Sequence, residues 1–243
     1  MSIPMSFIEA PSPNFDARVS PPDILVLHYT GMPTGEAALA RLRDPEAKVS
    51  SHYMVEEDGR IFRLVAEERR AWHAGVSFWK GERNINGVSI GVEIVNPGHE
   101  FGYRPFPDAQ VAAVIALVAD IRSRWTIDDS RIVGHSDVAP ERKDDPGELF
   151  PWKRLAEAGH GLWVEAPPAP GLPLAEGEEG AGVFALQAGF TRLGYDLPPS
   201  GKFDAATKAV VTAFQRHWRP EKVDGIADGA TRAQLIALLR LAG

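Results

Sequence analysis

The side chains of this 243-residue chain that could do chemistry together gather around the stretch Arg131-Ile-Val-Gly-His-Ser-Asp-Val-Ala-Pro-Glu-Arg-Lys-Asp-Asp-Pro-Gly147. A short apolar run, Ile132-Val133, reads as a strand that stops at Gly134, and His135, Asp137, Lys143, Asp144 and Asp145 follow. A polar loop hung on a buried strand end is where sites are usually built. Imidazole and carboxylate together suit a hard or borderline metal, zinc among them, and an open coordination position makes such a site catalytic. This stretch alone supplies too few ligands, so other elements must bring the rest.

One such element is Asp23-Ile-Leu-Val-Leu-His28, a continuous apolar run ending in histidine, the pattern of a strand buried on both faces. Sites in α/β sheets form at the carboxyl ends of strands, so His28 and His135 are expected to converge. Asp145 can complete a set of two histidines and one aspartate, leaving a fourth zinc position for water. Asp137 and Asp144 are its rivals, and Asp144 is better suited to solvent or to bonding its own loop. If the chain is extended there, Lys143 and Asp145 point into the same cavity. Val88 to Val95 alternates, with Ser89, Gly91 and Glu93 on one face. Small neighbours give the Glu93 carboxylate space for a substrate; the bland alternative is a surface glutamate on an edge strand. His73, in Ala71-Trp-His-Ala-Gly75, contacts substrate or caps its loop. His52 reads as structural, and His99, His160 and His217 as solvated.

The flanking elements give an α/β layer domain over about residues 20–163. Residues 1–22 are proline-rich and expected to drape over the surface. Thr34 reads as the N-cap of a helix carrying Leu39 and Leu42 on one face. Asp58-Gly59 turns a hairpin within 52–65. Residues 70–87 read as a long surface loop of functional character. Asp108 is expected to cap a helix to about Arg124, with Val111, Val114, Ile115, Val118 and Ile121 on its apolar stripe. A short helix from about Pro151 to Ala158 closes the domain. Ala166-Pro-Pro-Ala-Pro-Gly-Leu-Pro173, with Glu176, Glu178 and Glu179, reads as a semi-rigid acidic linker. Beyond it, Gly201-Lys-Phe-Asp-Ala-Ala-Thr207 repeats as Gly225-Ile-Ala-Asp-Gly-Ala-Thr231. Asp204 and Asp228 are placed as caps, and Leu186, Leu193 and Tyr195 mark an earlier helix. The tail, without an acid–histidine constellation of its own, is expected to bind and not to catalyse.

Composition narrows the class. Apolar content of 44% and charged content of 24% are ordinary for a globular protein, and a net charge of −7 argues against a nucleic-acid partner. The chain has no cysteine, which excludes disulfides, thiolate zinc sites, cysteine nucleophiles and an acylated lipoprotein cysteine. No stretch approaches the roughly 20 apolar residues of a membrane span. The first ten residues lack a basic, then apolar, signal pattern, which points to the cytoplasm; a signal removed before Met1 would instead place the protein in the periplasm or cell envelope. A monomer is expected.

Four separated motifs, in order, carry a family resemblance: Leu27-His-Tyr-Thr30, Ala71-Trp-His-Ala-Gly75, Asn86-Gly-Val-Ser-Ile-Gly-Val-Glu-Ile94, and Gly134-His-Ser-Asp-Val-Ala-Pro140 with Lys143-Asp-Asp-Pro-Gly147. Over about residues 15–160 the chain resembles the zinc-dependent N-acetylmuramoyl-L-alanine amidases of the amidase-2 family, the AmpD- and AmiD-like group related to peptidoglycan-recognition proteins. The tail's Gly-x-Phe-Asp-x-x-Thr and Val223-Asp-Gly225 resemble the three-helix peptidoglycan-binding domain.

The resemblance implies a mixed central sheet flanked by helices, a catalytic domain over 1–165, a linker over 166–179 and a small all-α domain over 180–243. It assigns zinc to His28, His135 and Asp145, the catalytic acid to Glu93 and the catalytic lysine to Lys143. Phage-lysozyme-like members place a tyrosine where this chain has Ser51, so the glutamate branch fits better. Trp72, His73, Trp79 and Asn84 are candidates for the substrate groove. The implied reaction cuts the amide between the muramic lactyl group and L-alanine of peptidoglycan or muropeptides. The rivals are a non-catalytic peptidoglycan receptor and a zinc peptidase acting on stem peptides.

Overall fold

The computed structural model describes residues 5–241. Its strands are β1 (Ile8–Glu9), β2 (Phe15–Ala17), β3 (Ile24–Tyr29), β4 (Tyr53–Val55), β5 (Ile61–Arg63), β6 (Arg69–Ala71), β7 (Ser89–Ile94) and β8 (Ile132–Gly134). Its helices are α1 (Gly35–Arg43), α2 (Ile85–Val88), α3 (Gly98–Phe101), α4 (Asp108–Arg124), α5 (His135–Val138), α6 (Trp152–Glu157), α7 (Ala181–Leu193), α8 (Ala205–Trp218) and α9 (Gly229–Leu241). The main sheet has the order β1-β5-β4-β7-β3-β8. Strands β4, β7, β3 and β8 run parallel, and β4 and β5 form the antiparallel hairpin across Asp58-Gly59. The architecture is the mixed sheet with flanking helices expected from the sequence.

Strand β3 shows why this sheet needs cover on both faces. Ile24, Leu25, Val26 and Leu27 are each 0% exposed, so neither face meets water. Leu25 and Leu27 share an apolar cluster with Val111, Val114 and Val118 of α4. Ile24 and Val26 join Val133, Val138 and Ile85 on the opposite face. Burial of one such side chain contributes about 1.5–3 kcal/mol. Strand β7 lies between β4 and β3 and is buried along its whole length, which removes the edge-strand alternative for Glu93.

Several expectations are corrected. Residues 70–87 are no free loop: β6 pairs antiparallel with β2, α2 follows, and His73, Ala74, Trp79 and Ile85 are buried. Of the proline-rich segment 1–22, residues 1–4 lie outside the described residues, and the following stretch is likewise tied down, β1 beside β5 and β2 beside β6, with Ala10, Ser12 and Asn14 buried. Thr34 does cap α1, its Oγ1 accepting from the Ala37 N–H. Asp108 does not cap α4. Pro107 holds the cap position, and Asp108 sits in the first turn, where a carboxylate suits the helix dipole, paired with Arg154 at 2.6 Å.

In the tail, Asp204 and Asp228 accept the N–H groups of Thr207 and Thr231, as the repeat predicts. Two glutamines without a sequence signature complete the pattern. Gln187 and Gln215 take the N–H groups of Gly201 and Gly225 on their carbonyl oxygens and donate to the Thr207 and Thr231 hydroxyls. The linker does not hold the helices apart from the sheet domain. Leu174 exchanges backbone hydrogen bonds with Ala227, and one apolar cluster runs from Ile24 and Trp79 through Phe190 and Phe214 to Leu238. Proline stiffness allowed separation; the apolar faces of both parts closed against each other instead.

Candidate metal centre and its cleft

Parallel strands β7, β3 and β8 end on the same side of the sheet, and their carboxyl ends supply the site. His28 is the fifth residue of β3 and Glu93 the fifth of β7; the two are register partners on adjacent strands. Register partners point to the same face, so carboxylate and imidazole stand side by side. His135 is the first residue of α5, immediately after β8, and not a strand end. Asp145 comes from the turn beyond, and its carbonyl accepts the Ser136 N–H at 2.9 Å, which ties the His135 and Asp145 segments together.

His28 Nδ1, His135 Nδ1 and Asp145 Oδ2 form a triangle with sides of 3.0, 3.0 and 3.1 Å. All three residues are buried, and they are a set able to hold a metal ion. A tetrahedral ion with bonds of about 2.0–2.1 Å separates its ligand atoms by roughly 3.3 Å, so the triangle fits one ion capping its face. The rival aspartates are engaged elsewhere. Asp137 accepts from Gly134 N–H, Tyr195 Oη and His217 Nδ1, and Asp144 pairs with Arg216 at 2.9 Å.

The remaining ring nitrogens define the tautomers. His135 Nε2 donates to the Ala74 carbonyl at 3.1 Å, which leaves its Nδ1 lone pair facing the triangle. Ser89 gives its hydroxyl proton to the Ile85 carbonyl at 2.5 Å, so its oxygen accepts from His73 Nε2 at 3.1 Å. His73 Nδ1 is then an acceptor and takes the His28 Nε2–H at 3.1 Å. That leaves His28 Nδ1 unprotonated, as a metal ligand must be. Burial, with His135 adding to it, pushes His28 down to about 4, and burial holds His73 well below the ordinary histidine range, so both rings are neutral near pH 7.

Glu93 has the opposite character. Burial, then the Asp145 charge, raises its carboxyl well above the ordinary value, while Lys143 pulls the other way. Its buried Oε2 has no hydrogen-bond partner among the described residues. A buried carboxylate that lacks protein donors is placed to take a proton from something in the cleft. His28, Glu93, His135, Lys143 and Asp145 all line one cleft of about 360 Å³, whose rim includes Tyr29, Arg41 and His99.

The proposed groove residues fare differently. His73 reaches the cleft but serves His28, and its ring occupies the space that Gly91 leaves: a Cβ there would lie 2.5 Å from the ring. The small-residue face of β7 therefore admits a histidine, and only its Glu93 end opens toward substrate. Trp79 is 1% exposed and packs against Tyr195 of the tail, which removes it from any groove. Trp72 donates to Asp16, and Asn84 is exposed at the start of α2; neither lines the cleft. His52 is structural as expected, its Nδ1 accepting from Gly91 N–H. His217, expected in solvent, is 2% exposed and bonded to Asp137. Sequence reasoning also assigned no role to Asn86, whose Oδ1 accepts the N–H groups of His73 and Ala74; its place beside the alternating strand was the available signal.

Residues 18–148 match the N-acetylmuramoyl-L-alanine amidase family, and residues 179–235 match a peptidoglycan binding domain. The amidase AmiD of Escherichia coli is 39% identical over 240 residues, covering 90% of this chain and 83% of AmiD. The 1,6-anhydro-N-acetylmuramyl-L-alanine amidase AmpD of Enterobacter cloacae is 34% identical over 164 residues, covering 60% of this chain and 86% of AmpD. The solved structure of E. coli AmiD with its substrate anhydro-N-acetylmuramic acid-L-Ala-D-gamma-Glu-L-Lys superposes with a TM-score of 0.78 at 37% identity, covering 94% of this chain and 93% of that one. The chain belongs to the N-acetylmuramoyl-L-alanine amidase family.

Proposed function

We propose that this amidase uses zinc, held by His28, His135 and Asp145, to hydrolyse the lactyl–L-alanine amide of anhydro-muropeptides and related peptidoglycan fragments. The observation that carries this reading is the ligand triangle with Glu93 in register beside His28. Two imidazoles and one carboxylate are a donor set that zinc accepts, with one position left for solvent or substrate. Bound zinc lowers the pKa of a water to about 7 and polarises a carbonyl oxygen.

The chain's own residues supply the rest. Glu93, free of protein donors on one oxygen, takes the proton of the attacking water and later delivers it to the leaving amine of L-alanine. Lys143, half-buried in the same cleft, faces the oxyanion that develops on the lactyl carbonyl. His73 and the Ala74 carbonyl orient the two imidazoles. AmiD's structure is described with an anhydro-muramoyl peptide as substrate, which supports the same substrate class here. Residues 180–243 serve as a peptidoglycan-binding module, which suits longer fragments as well as soluble ones.

Mass spectrometry of muropeptide digests tests the reading. An amidase releases intact stem peptides beginning with L-alanine and leaves the sugar whole. Shortened stems would make the protein a peptidase, and an absence of products from zinc-loaded protein would make it a receptor.

A further inference from the structure

We infer that the C-terminal module is a working part of the metal site, because consecutive residues of α8 hold both segments that carry the ligands. The inference rests on the zinc reading above. His217 Nδ1 donates to Asp137 Oδ2 at 2.7 Å, and Asp137 lies two residues after His135 on the same short helix. Arg216 pairs with Asp144 Oδ1 at 2.9 Å, and Asp144 immediately precedes Asp145. Arg216 also lies 3.7 Å from Glu148, which accepts from His99 on the rim of the cleft.

The Asp137 carboxylate shows how strongly the two parts depend on each other. It is 1% exposed and has donors from Gly134 N–H, His217 Nδ1 and the Tyr195 hydroxyl. Two of these come from the module. A carboxylate buried at this depth is costly unless its oxygens are satisfied, so removing the module's donors leaves Asp137 driven toward solvent. Helix α5 has only four residues and cannot hold its own direction against that pull. The His217 ring is itself fixed between Trp152 and Trp218, with ring centroids 3.6 Å away on each side. Tyr195, Arg216 and His217 are thus positioning residues. They touch no substrate, and they set the aim of His135 and Asp145 through their neighbours Asp137 and Asp144.

The test uses the full chain carrying Tyr195→Phe, His217→Leu, His217→Gln or Arg216→Met, with Lys202→Met as an exposed control in the same module. Zinc affinity is measured by chelator competition, the Co²⁺-substituted absorption spectrum is recorded, and kcat and KM are measured on a soluble anhydro-muropeptide. Partners that orient metal ligands typically change affinity by about 10–100-fold, and losses in that range are expected for Tyr195→Phe and His217→Leu. The Co²⁺ spectrum should shift, kcat should fall with KM unchanged, and His217→Gln, which keeps a donor, should recover part of the loss. Folded variants with parental zinc affinity, spectrum and kcat would overturn the inference. A parent that binds no zinc at all would instead remove the reading beneath it.

Discussion

His28 Nε2 lies 3.1 Å from His73 Nδ1, and this contact decides which nitrogen of His28 faces the Asp145 carboxylate. The proton direction follows from Ser89, whose single hydroxyl proton is committed to the Ile85 carbonyl. The protonation of this proposed metal ligand is therefore set by a chain of hydrogen bonds that runs back to the start of β7. Replacing His73 by Leu should break that chain. The expected outcome is a zinc affinity lower by about 10–100-fold, read by chelator competition, with the fold retained.

Gly91→Ala tests the same chain from the other side. A Cβ at Gly91 would sit 2.5 Å from the His73 ring, closer than carbon atoms approach, and the ring has no flexible end to give way. Overpacking of this kind costs about 1–3 kcal/mol. Denaturant unfolding should show that loss, together with weakened zinc binding; stability equal to the parent would mean that His73 can move freely.

Glu93→Gln keeps the size of the side chain and removes the base. Positioned acid–base groups contribute about 10²–10⁴-fold, so kcat should fall within that range while zinc content stays at the parental level. A variant with full activity would exclude Glu93 from proton transfer.

Lys143→Met removes the cation that faces the cleft beside Asp145. Losing one oxyanion partner typically costs about 10²–10³ in kcat, so turnover of a soluble anhydro-muropeptide should drop by that much with KM little changed. An effect confined to KM would assign Lys143 to substrate binding.

Far from the cleft, Glu67 ties the hairpin to the end of α4. Its carboxylate accepts from Tyr53 Oη at 2.8 Å, Arg124 at 2.8 and 3.0 Å, and Trp125 Nε1 at 2.6 Å. Burial alone would raise its pKa, but these donors outweigh burial and hold it below the ordinary value. A carboxyl depressed in the folded state stabilises above its unfolded pKa of about 4.3, and the contribution is lost as pH falls through the folded value. Glu67→Gln should cost about 1–3 kcal/mol at pH 7 and much less at pH 3, measured by denaturant unfolding. An equal cost at both pH values would contradict the charge-based account.

Much of the site was legible because its parts sit where local pattern is strong. His28 closes an unbroken apolar run, Glu93 lies on the small face of an alternating one, and His135 follows a strand stop; each is a strand-end signal that survives in one dimension. The roles of His73, Asp137 and His217 were not legible, because each depends on a partner distant in sequence. His73 looked like a groove residue until Gly91 and Ser89 were seen to house its ring. Asp137 looked like a rival ligand until Tyr195 and His217 were seen to occupy its oxygens. Trp79 was misplaced for the same reason: a tryptophan in a glycine-rich segment suits a sugar surface, and nothing local showed that the tail would cover it.

The most direct test of the account is zinc binding measured side by side in the parent and in Asp145→Ala. The account predicts one zinc per parental chain, removable by chelator together with amidase activity and restored with it. It predicts for Asp145→Ala a large loss of both affinity and activity. Undiminished zinc affinity in Asp145→Ala would contradict the assignment of Asp145 as the third ligand and, with it, the geometry proposed for the reaction.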